Sequence, residues 1–301
     1  MEVKDFIEGL GVTTQPLWLS SGKEVDVYCP ERRVGFEFNG AYFHSLPGLE
    51  RRGVKKKNQI RYHLTKTLEA EKDNVFVYHV WSWEWEDERT RPIIKSQIRT
   101  LLGHVDQKVY ARKTTVTPVS NAEAGVFLSE HHLIGRVNAH THYGLIREDG
   151  ELVAVMSFDP DPSAEDEWIL SRYCVKRDTS VVGGASKLFK HFVHHHAPRA
   201  VTSYSDRAKT VGTMYSGLGF KVSHETDPEY VNLHLNSGKV YRRYQTMRSV
   251  LLKKHPERLD SSMTEREMCD ELGYVRIYGC GKKVWVWTSV TPVTQNVVVS
   301  L

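Results

Sequence analysis

Asp26, Glu37 and His44 are the residues in this chain whose types and spacing could do chemistry together. Two carboxylates on neighbouring strands can hold Mg²⁺ or Mn²⁺ against a phosphoryl oxygen, and an imidazole nearby can move a proton. Glu24 and Asp26 fall on one face of a run that alternates polar and apolar residues, Glu24 to Cys29. Taken alone, they read as the outward face of an amphipathic strand. Glu37 stands between Phe36 and Phe38, where a carboxylate without a partner is costly. A basic run follows: from Arg51 to Thr67 there are seven Lys or Arg residues and no acid. An isolated run of this kind is usually a solvated helix face; beside a carboxylate pair it suits a phosphodiester.

The elements that must position these groups form two units. Val3, Phe6, Ile7 and Leu10 have the spacing of a short amphipathic helix that Gly11 stops. Strands over 24–29 and 33–38, turned by Pro30-Glu31-Arg32, make a hairpin. A basic helix over 55–72, a buried strand over 75–81 and a helix over 93–102 complete an α/β unit spanning 1–103. Residues 104–114 read as a polar linker, and 115–301 as a second mixed α/β unit. Its strands are expected at 115–119, 142–146, 152–158, 168–175 and 200–204. Its helices are expected at 122–131, 185–195 and 211–218. Gly279-Cys280-Gly281 reads as a hairpin turn between aromatic strands.

The run Glu24-Val25-Asp26-Val27-Tyr28-Cys29-Pro30, followed by Gly35-Phe36-Glu37-Phe38-Asn39-Gly40-Ala41-Tyr42-Phe43-His44, resembles the core of phage homing endonucleases of the Vsr-like branch of the PD-(D/E)xK nucleases. Tyr62-His63-Leu64-Thr65-Lys66-Thr67 and Trp81-Ser82-Trp83-Glu84-Trp85 fit the same pattern. The resemblance implies a Mg²⁺-dependent, site-specific endonuclease acting on double-stranded DNA. It implies metal ligation by Asp26 and Glu37, with Glu24 and Glu2 completing the shell, and proton transfer by His44. Asn39 stands where the superfamily's lysine is expected; either His44 replaces it, or Lys66 or His63 brings the positive charge. Arg51, Arg52, Lys55, Lys56, Lys57 and Arg61 are the expected phosphate contacts.

In the second unit, Val182-Gly183-Gly184-Ala185-Ser186-Lys187-Leu188 and Met214-Tyr215-Ser216-Gly217-Leu218-Gly219-Phe220 resemble the GNAT acyltransferase fold. There a Gly-rich turn at a helix N-terminus cradles the pyrophosphate of acetyl-CoA. Ser180 stands where that turn usually carries Arg or Gln, so no cofactor-binding residue is assigned, and the unit is read as reused for DNA recognition. Tyr204, Asp206, Arg207 and Tyr241-Arg242-Arg243-Tyr244 are its candidate contacts. The other readings are a mismatch-nicking enzyme, an active acyltransferase and a non-catalytic DNA-binding protein.

Composition constrains the rest. The chain has 301 residues, 41 Lys and Arg against 37 Asp and Glu, and 40% hydrophobic residues. No apolar run reaches bilayer length and no signal segment opens the chain, so a cytoplasmic location, that of the host if phage-encoded, is expected. Cys29, Cys174, Cys269 and Cys280 form no CxxC pair, against a structural zinc site and a disulfide framework. His194-His195-His196 point in different directions on a helix and read as a helix end, not a metal site.

Overall fold

The computed structural model describes residues 2–289. The first unit contains α1 (Glu2–Glu8), β1 (Gln15–Trp18), β2 (Glu24–Cys29), β3 (Val34–Asn39), α2 (Ala41–His44), α3 (Leu46–Arg51), α4 (Lys56–Gln59), α5 (Tyr62–Lys72), β4 (Phe76–Trp81), α6 (Ser82–Glu86) and α7 (Thr90–Leu102). Its sheet runs β1-β2-β3-β4, antiparallel except for the parallel β3/β4 pair. Successive side chains of β3 face opposite ways. Val34 and Phe36 therefore join Ile94 and Ile98 of α7 and Val3 and Ile7 of α1 in one core. Gly35, Glu37 and Asn39 face α5. A Cβ on Gly35 would come within 2.7 Å of Val25 Cγ1, so this strand packs too tightly there for a side chain.

The second unit follows β5 (Gln107–Tyr110) and contains β6 (Thr114–Pro118), α8 (Asn121–His131), β7 (Thr141–Arg147), β8 (Leu152–Pro160), β9 (Glu167–Val175), β10 (Thr179–Val182), α9 (Gly184–His196), β11 (Ala200–Asp206), α10 (Thr213–Gly217) and β12 (Lys221–Glu225). Then come β13 (Tyr230–His234), β14 (Val240–Arg242), α11 (Arg248–Lys254), α12 (Glu265–Glu271), β15 (Tyr274–Tyr278) and β16 (Lys282–Thr288). A seven-stranded sheet runs β12-β16-β11-β9-β8-β7-β6, and β9/β11 is its one parallel pair. Leu188, Phe189 and Phe192 of α9 cover one face, with Phe192 stacked on Phe158 at 3.6 Å between ring centroids. Ala124, Phe127 and Leu128 of α8 cover the other face, against Val155 and Cys174.

Several expectations change. The basic helix is broken: α4 and α5 are separate, and the run 41–51, not expected to be helical, forms α2 and α3. The expected linker contains β5, which pairs in parallel with β10 over Gln107–Tyr110 and Thr179–Val182. Gly279-Cys280-Gly281 is no hairpin turn. The strands on either side belong to different sheets, β15 beside β13 and β16 between β11 and β12. No described helix is long and apolar enough to cross a membrane.

The units share an interface. Leu233 and Ile277 of the three-stranded sheet β14-β13-β15 pack on Trp81 of β4. Arg207, 3% exposed, reaches Glu71 of α5 at 2.9 Å and also pairs with Glu225 of β12. Lys209 Nζ donates to the His79 carbonyl at 2.6 Å and pairs with Glu84. Arg207, expected to touch DNA, is thus an internal clasp, because the guanidinium is itself buried and its two ends are taken by half-buried Glu71 and exposed Glu225.

Candidate functional site

The hairpin brings Asp26 and Glu37 side by side. The Glu37 carboxylate accepts the Asp26 N–H at 3.2 Å, and Asp26 Oδ2 accepts the Phe38 N–H at 2.8 Å. Lys66, from the buried face of α5, forms an ion pair with Glu37, with side chains 10% and 4% exposed. Burial, with help from Asp26, raises the Glu37 carboxyl to about 7 although Lys66 pulls it down. Lys66 thus supplies the positive charge missing at Asn39. Asn39 is buried instead, donating through Nδ2 to His79 Nδ1 at 3.2 Å.

His44 and His63 form a defined proton chain. His63 Nδ1 lies 2.7 Å from the Tyr278 carbonyl oxygen, which can only accept, so that nitrogen carries the proton. His63 Nε2 is then a lone pair, and His44 Nδ1 donates to it at 2.7 Å. His44 Nε2 is left as a free acceptor. Burial lowers His44 to about 4, with Arg52 and Lys66 adding to it, and burial lowers His63 further below the usual imidazole range. Both rings are neutral at pH 7. Behind them His79 Nε2 donates to Thr67 Oγ1 at 2.9 Å, and Thr67 donates to the His63 carbonyl at 3.1 Å. The fixing partners Tyr278 and His79 were not singled out in the sequence, since nothing local links them to His63.

A metal shell does not form from the expected carboxylates. Glu37 is neutralised by Lys66 and Asp26 is bonded to the strand backbone. Glu2 accepts the Trp85 indole N–H at 2.8 Å, and Glu24 faces solvent. Among the described residues no group of three or more His, Cys, Asp or Glu is arranged to hold a metal ion.

The basic run lies beside this cluster. Arg51, Arg52, Lys55, Lys56, Lys57 and Arg61 are all exposed, and among the described residues only Arg61 of these has a carboxylate partner, Asp227 at 3.0 Å. Arg51 lies over the ring of Tyr42 and Arg52 over that of Tyr62. Tyr42 is 47% and Phe43 62% exposed. These rings, His44, Arg52 and Trp83 line a cleft closed on its far side by Leu233, Leu235 and Gly238 of the second unit. Arg242 and Arg243 are exposed at the end of β14, with Arg243 4.0 Å from Glu265. Tyr204 is exposed on β11, and Asp206 accepts the Ala208 N–H at 2.8 Å.

A second opening lies in the seven-stranded sheet. The parallel pair β9/β11 is laddered only over Glu167–Ile169 and Ala200–Thr202, after which the strands part. Ser203, the next residue of β11, bridges the start of the gap by donating to the Leu170 carbonyl at 2.9 Å. β9 carries a bulge here: Ser157 pairs with Arg172 and Phe158 with Leu170, leaving Ser171 unpaired. Bulges of this kind re-aim side chains and cluster next to active sites. Ligands of open α/β sheets bind outside the carboxyl ends of parallel strands. Tyr215 of α10 enters the gap; its hydroxyl lies 3.2 Å from Ser203 Oγ and donates to the Tyr204 carbonyl at 3.4 Å. Burial raises the Tyr215 phenol above its usual range. The Gly183-Gly184 turn is less open than its sequence suggests. Tyr173 accepts the Ala185 N–H with its hydroxyl, and the preceding Thr179–Val182 is laddered to β5.

No known family profile matches the sequence, and no curated protein does. Similar solved structures include the histone acetyltransferase HPA2 and related acetyltransferase of Corynebacterium glutamicum (13% identity, 60% of this chain, 99% of that one, TM-score 0.36). A GNAT-family acetyltransferase of Bacillus cereus is similar at 13% identity over 59% of this chain and 99% of that one, TM-score 0.32. This chain spans 64% of a protein of Acinetobacter baylyi named as an acetyltransferase, which covers 50% of this chain (12% identity, TM-score 0.28). The expectation of a Mg²⁺-dependent, phage-type homing endonuclease is therefore corrected. Glu37 is engaged by Lys66, Glu2 by the Trp85 indole and Asp26 by the strand backbone, and no group among the described residues is arranged to hold a metal ion. What stands is a mixed α/β fold with acetyltransferases among its structural neighbours.

Proposed function

We propose that the second unit is a GNAT-like acyltransferase that draws on a thioester donor such as acetyl-CoA. One observation carries the reading: the Tyr215 hydroxyl stands in the gap where β9 and β11 part, beside the bulge at Ser171. A thioester supplies an activated acyl carbon. Tyr215 holds a proton at Oη at neutral pH, because burial keeps its phenol un-ionised, and it is placed to release that proton to a departing thiolate. Ser203 keeps the hydroxyl at the gap and ties it to Leu170 of the opposite strand.

The residues of the gap fit the thioester end of such a donor: a protonated hydroxyl and an unpaired strand edge lie together. The Gly183-Gly184 turn fits the pyrophosphate end less well, since the Tyr173 hydroxyl already takes the Ala185 N–H and the strand leading into the turn is laddered to β5. The test is transfer of radiolabelled acetyl groups from acetyl-CoA to protein, polyamine and DNA acceptors. Tyr215→Phe is expected to slow transfer about a hundredfold, as for loss of a general acid. Equal rates for Tyr215→Phe and the parent chain would end the reading.

A second reading concerns the partner. The exposed, acid-free cations Arg51, Arg52, Lys55, Lys56 and Lys57 beside the exposed rings of Tyr42 and Phe43 support binding of double-stranded DNA by the first unit. Fluorescence anisotropy with a labelled duplex at two salt concentrations tests it. Binding that does not weaken with salt would exclude these cations as its source.

A further inference from the structure

The cleft where the two units face each other is built from groups that suit one kind of planar ligand. Its volume is about 660 Å³, inside the span of roughly 300–1,000 Å³ usual for small-ligand sites. One lining ring, Trp83, is half-buried and stacked on the buried Trp81, with 4.9 Å between ring centroids and 16° between planes. That stack holds the Trp83 ring in one orientation. Tyr42 and Phe43 stand edge to face, 5.7 Å apart, and line the same cleft while staying exposed. Rings left in water around one hollow forgo the burial that would stabilise the fold, and such patches mark binding surfaces.

The polar groups of the cleft are chiefly acceptors. His44 spends Nδ1 on His63, so the atom it can offer the cleft is the Nε2 lone pair. Glu86, exposed, adds a carboxylate that forms no ion pair among the described residues. Both need N–H groups opposite them. Arg52 brings positive charge to the same cleft. It lies over the Tyr62 ring with Nη2 3.5 Å from the Tyr62 hydroxyl, and no carboxylate among the described residues balances it. Lys55, Lys56 and Lys57 follow it along the chain, all exposed. A flat ring with N–H groups on its edge and a phosphate attached answers every one of these groups. A cationic peptide would meet Arg52 and the lysines as like charges. A phosphorylated tyrosine brings a ring and a charge, but its ring edge has no N–H.

We propose that this cleft binds a single unpaired nucleotide, with its base on the rings of Trp83, Tyr42 and Phe43, its N–H edge on His44 Nε2 and Glu86, and its phosphate on Arg52. Every nucleobase has a π-face, so stacking tolerates any of them. In a duplex those faces are stacked and the N–H groups are paired, so only a base out of the helix can enter. Two sources share this chemistry: a base displaced from a nucleic-acid strand, and a free mononucleotide. The strand source rests on the reading of the first unit as DNA-binding; the mononucleotide source does not.

Fluorescence anisotropy with the full chain compares labelled duplexes of one length: fully paired, with one bulged deoxyguanosine, and with an abasic site at the bulge. The parent chain should prefer the bulged base to both others about tenfold, the worth of one stacked base. Phe43→Ala changes an exposed ring and should abolish that preference, whatever it does to the affinity for paired DNA. Trp83→Ala should do the same. Lys56→Gln should weaken all the duplexes alike and keep the preference. GMP, titrated calorimetrically, should bind the parent chain and not Phe43→Ala. GMP binding without a preference for the bulged base assigns the cleft to a free nucleotide. No such preference and no GMP binding would overturn the site, as would O-phosphotyrosine binding as tightly as GMP. Salt-dependent duplex binding can survive that result, so the cleft can fail while the DNA reading stands. GMP binding with no duplex binding at all removes the DNA reading and leaves the cleft.

Discussion

Lys66 and Glu37 form an ion pair inside the first unit, on facing sides of α5 and β3. Glu37 stands at about 7, chiefly through burial, against an ordinary 4.5. Between those values the folded chain holds a proton that the unfolded chain has released, so stability falls as pH rises through that window. Lys66→Met removes the charge that holds Glu37 down and carries the fall to higher pH. Its deficit against the parent chain should widen between pH 6 and pH 8, reaching about 3 kcal/mol. Urea unfolding at both pH values measures it. Adding Glu37→Gln should recover most of the loss, and an equal deficit at the two pH values would contradict the coupling.

Arg207→Met should cost about 3 kcal/mol, because it leaves Glu71 and Glu225 without their shared partner at the join of the two units. The cost should appear as lost cooperativity as well as a lower Tm. Calorimetry should find a van't Hoff enthalpy below the calorimetric one in the variant. A single sharp transition with unchanged Tm would mean that the clasp contributes nothing.

Gly48→Ala tests the turn that carries the exposed rings. A Cβ there would lie 2.1 Å from the Tyr42 carbonyl oxygen and 2.8 Å from the Phe43 carbonyl carbon. Both obstacles are backbone, so Ala41–His44 must move. We expect about 1–3 kcal/mol of lost stability, the usual cost of overpacking. Duplex affinity should drop with it if Tyr42 and Phe43 contact DNA, as anisotropy would record.

Replacing Lys55, Lys56 and Lys57 together by Ala should weaken duplex binding without changing stability, since all three are exposed and form no ion pair among the described residues. The slope of log affinity against log salt should fall by about 0.9 for each lysine that touches a phosphate. An unchanged slope would remove this run from the contact surface.

The sequence was legible where signals are local. The hairpin appears as read, with strands at Glu24–Cys29 and Val34–Asn39, because alternation and a Pro-containing turn specify it within a dozen residues. The helix after Gly183-Gly184 also appears, at Gly184–His196, with the three histidines in its last turn. What failed was charge bookkeeping across elements. Glu24, Asp26, Glu37 and Glu2 looked like one ligand set, yet Lys66 and the Trp85 indole claim two of them from elsewhere in the chain. The helices at Ala41–His44 and Leu46–Arg51 were missed because Gly40, Pro47 and Gly48 break any long periodicity. Tyr215 lay in a run that carried the GNAT resemblance, but no role was assigned to its side chain. The parting of β9 from β11 depends on pairings more than thirty residues apart and leaves no periodic trace.

The Tyr278 carbonyl that fixes the His63 ring lies 215 residues further along the chain. During synthesis at the usual pace of translation, roughly ten to forty seconds separate the two. Until Tyr278 has been made, His63 Nδ1 lacks the carbonyl that fixes its tautomer. His44 Nε2 becomes a defined proton acceptor only when β15 docks. The order of manufacture therefore carries a delay: a chain that stops short of β15 has the residues of this cluster without the carbonyl that sets its protonation pattern.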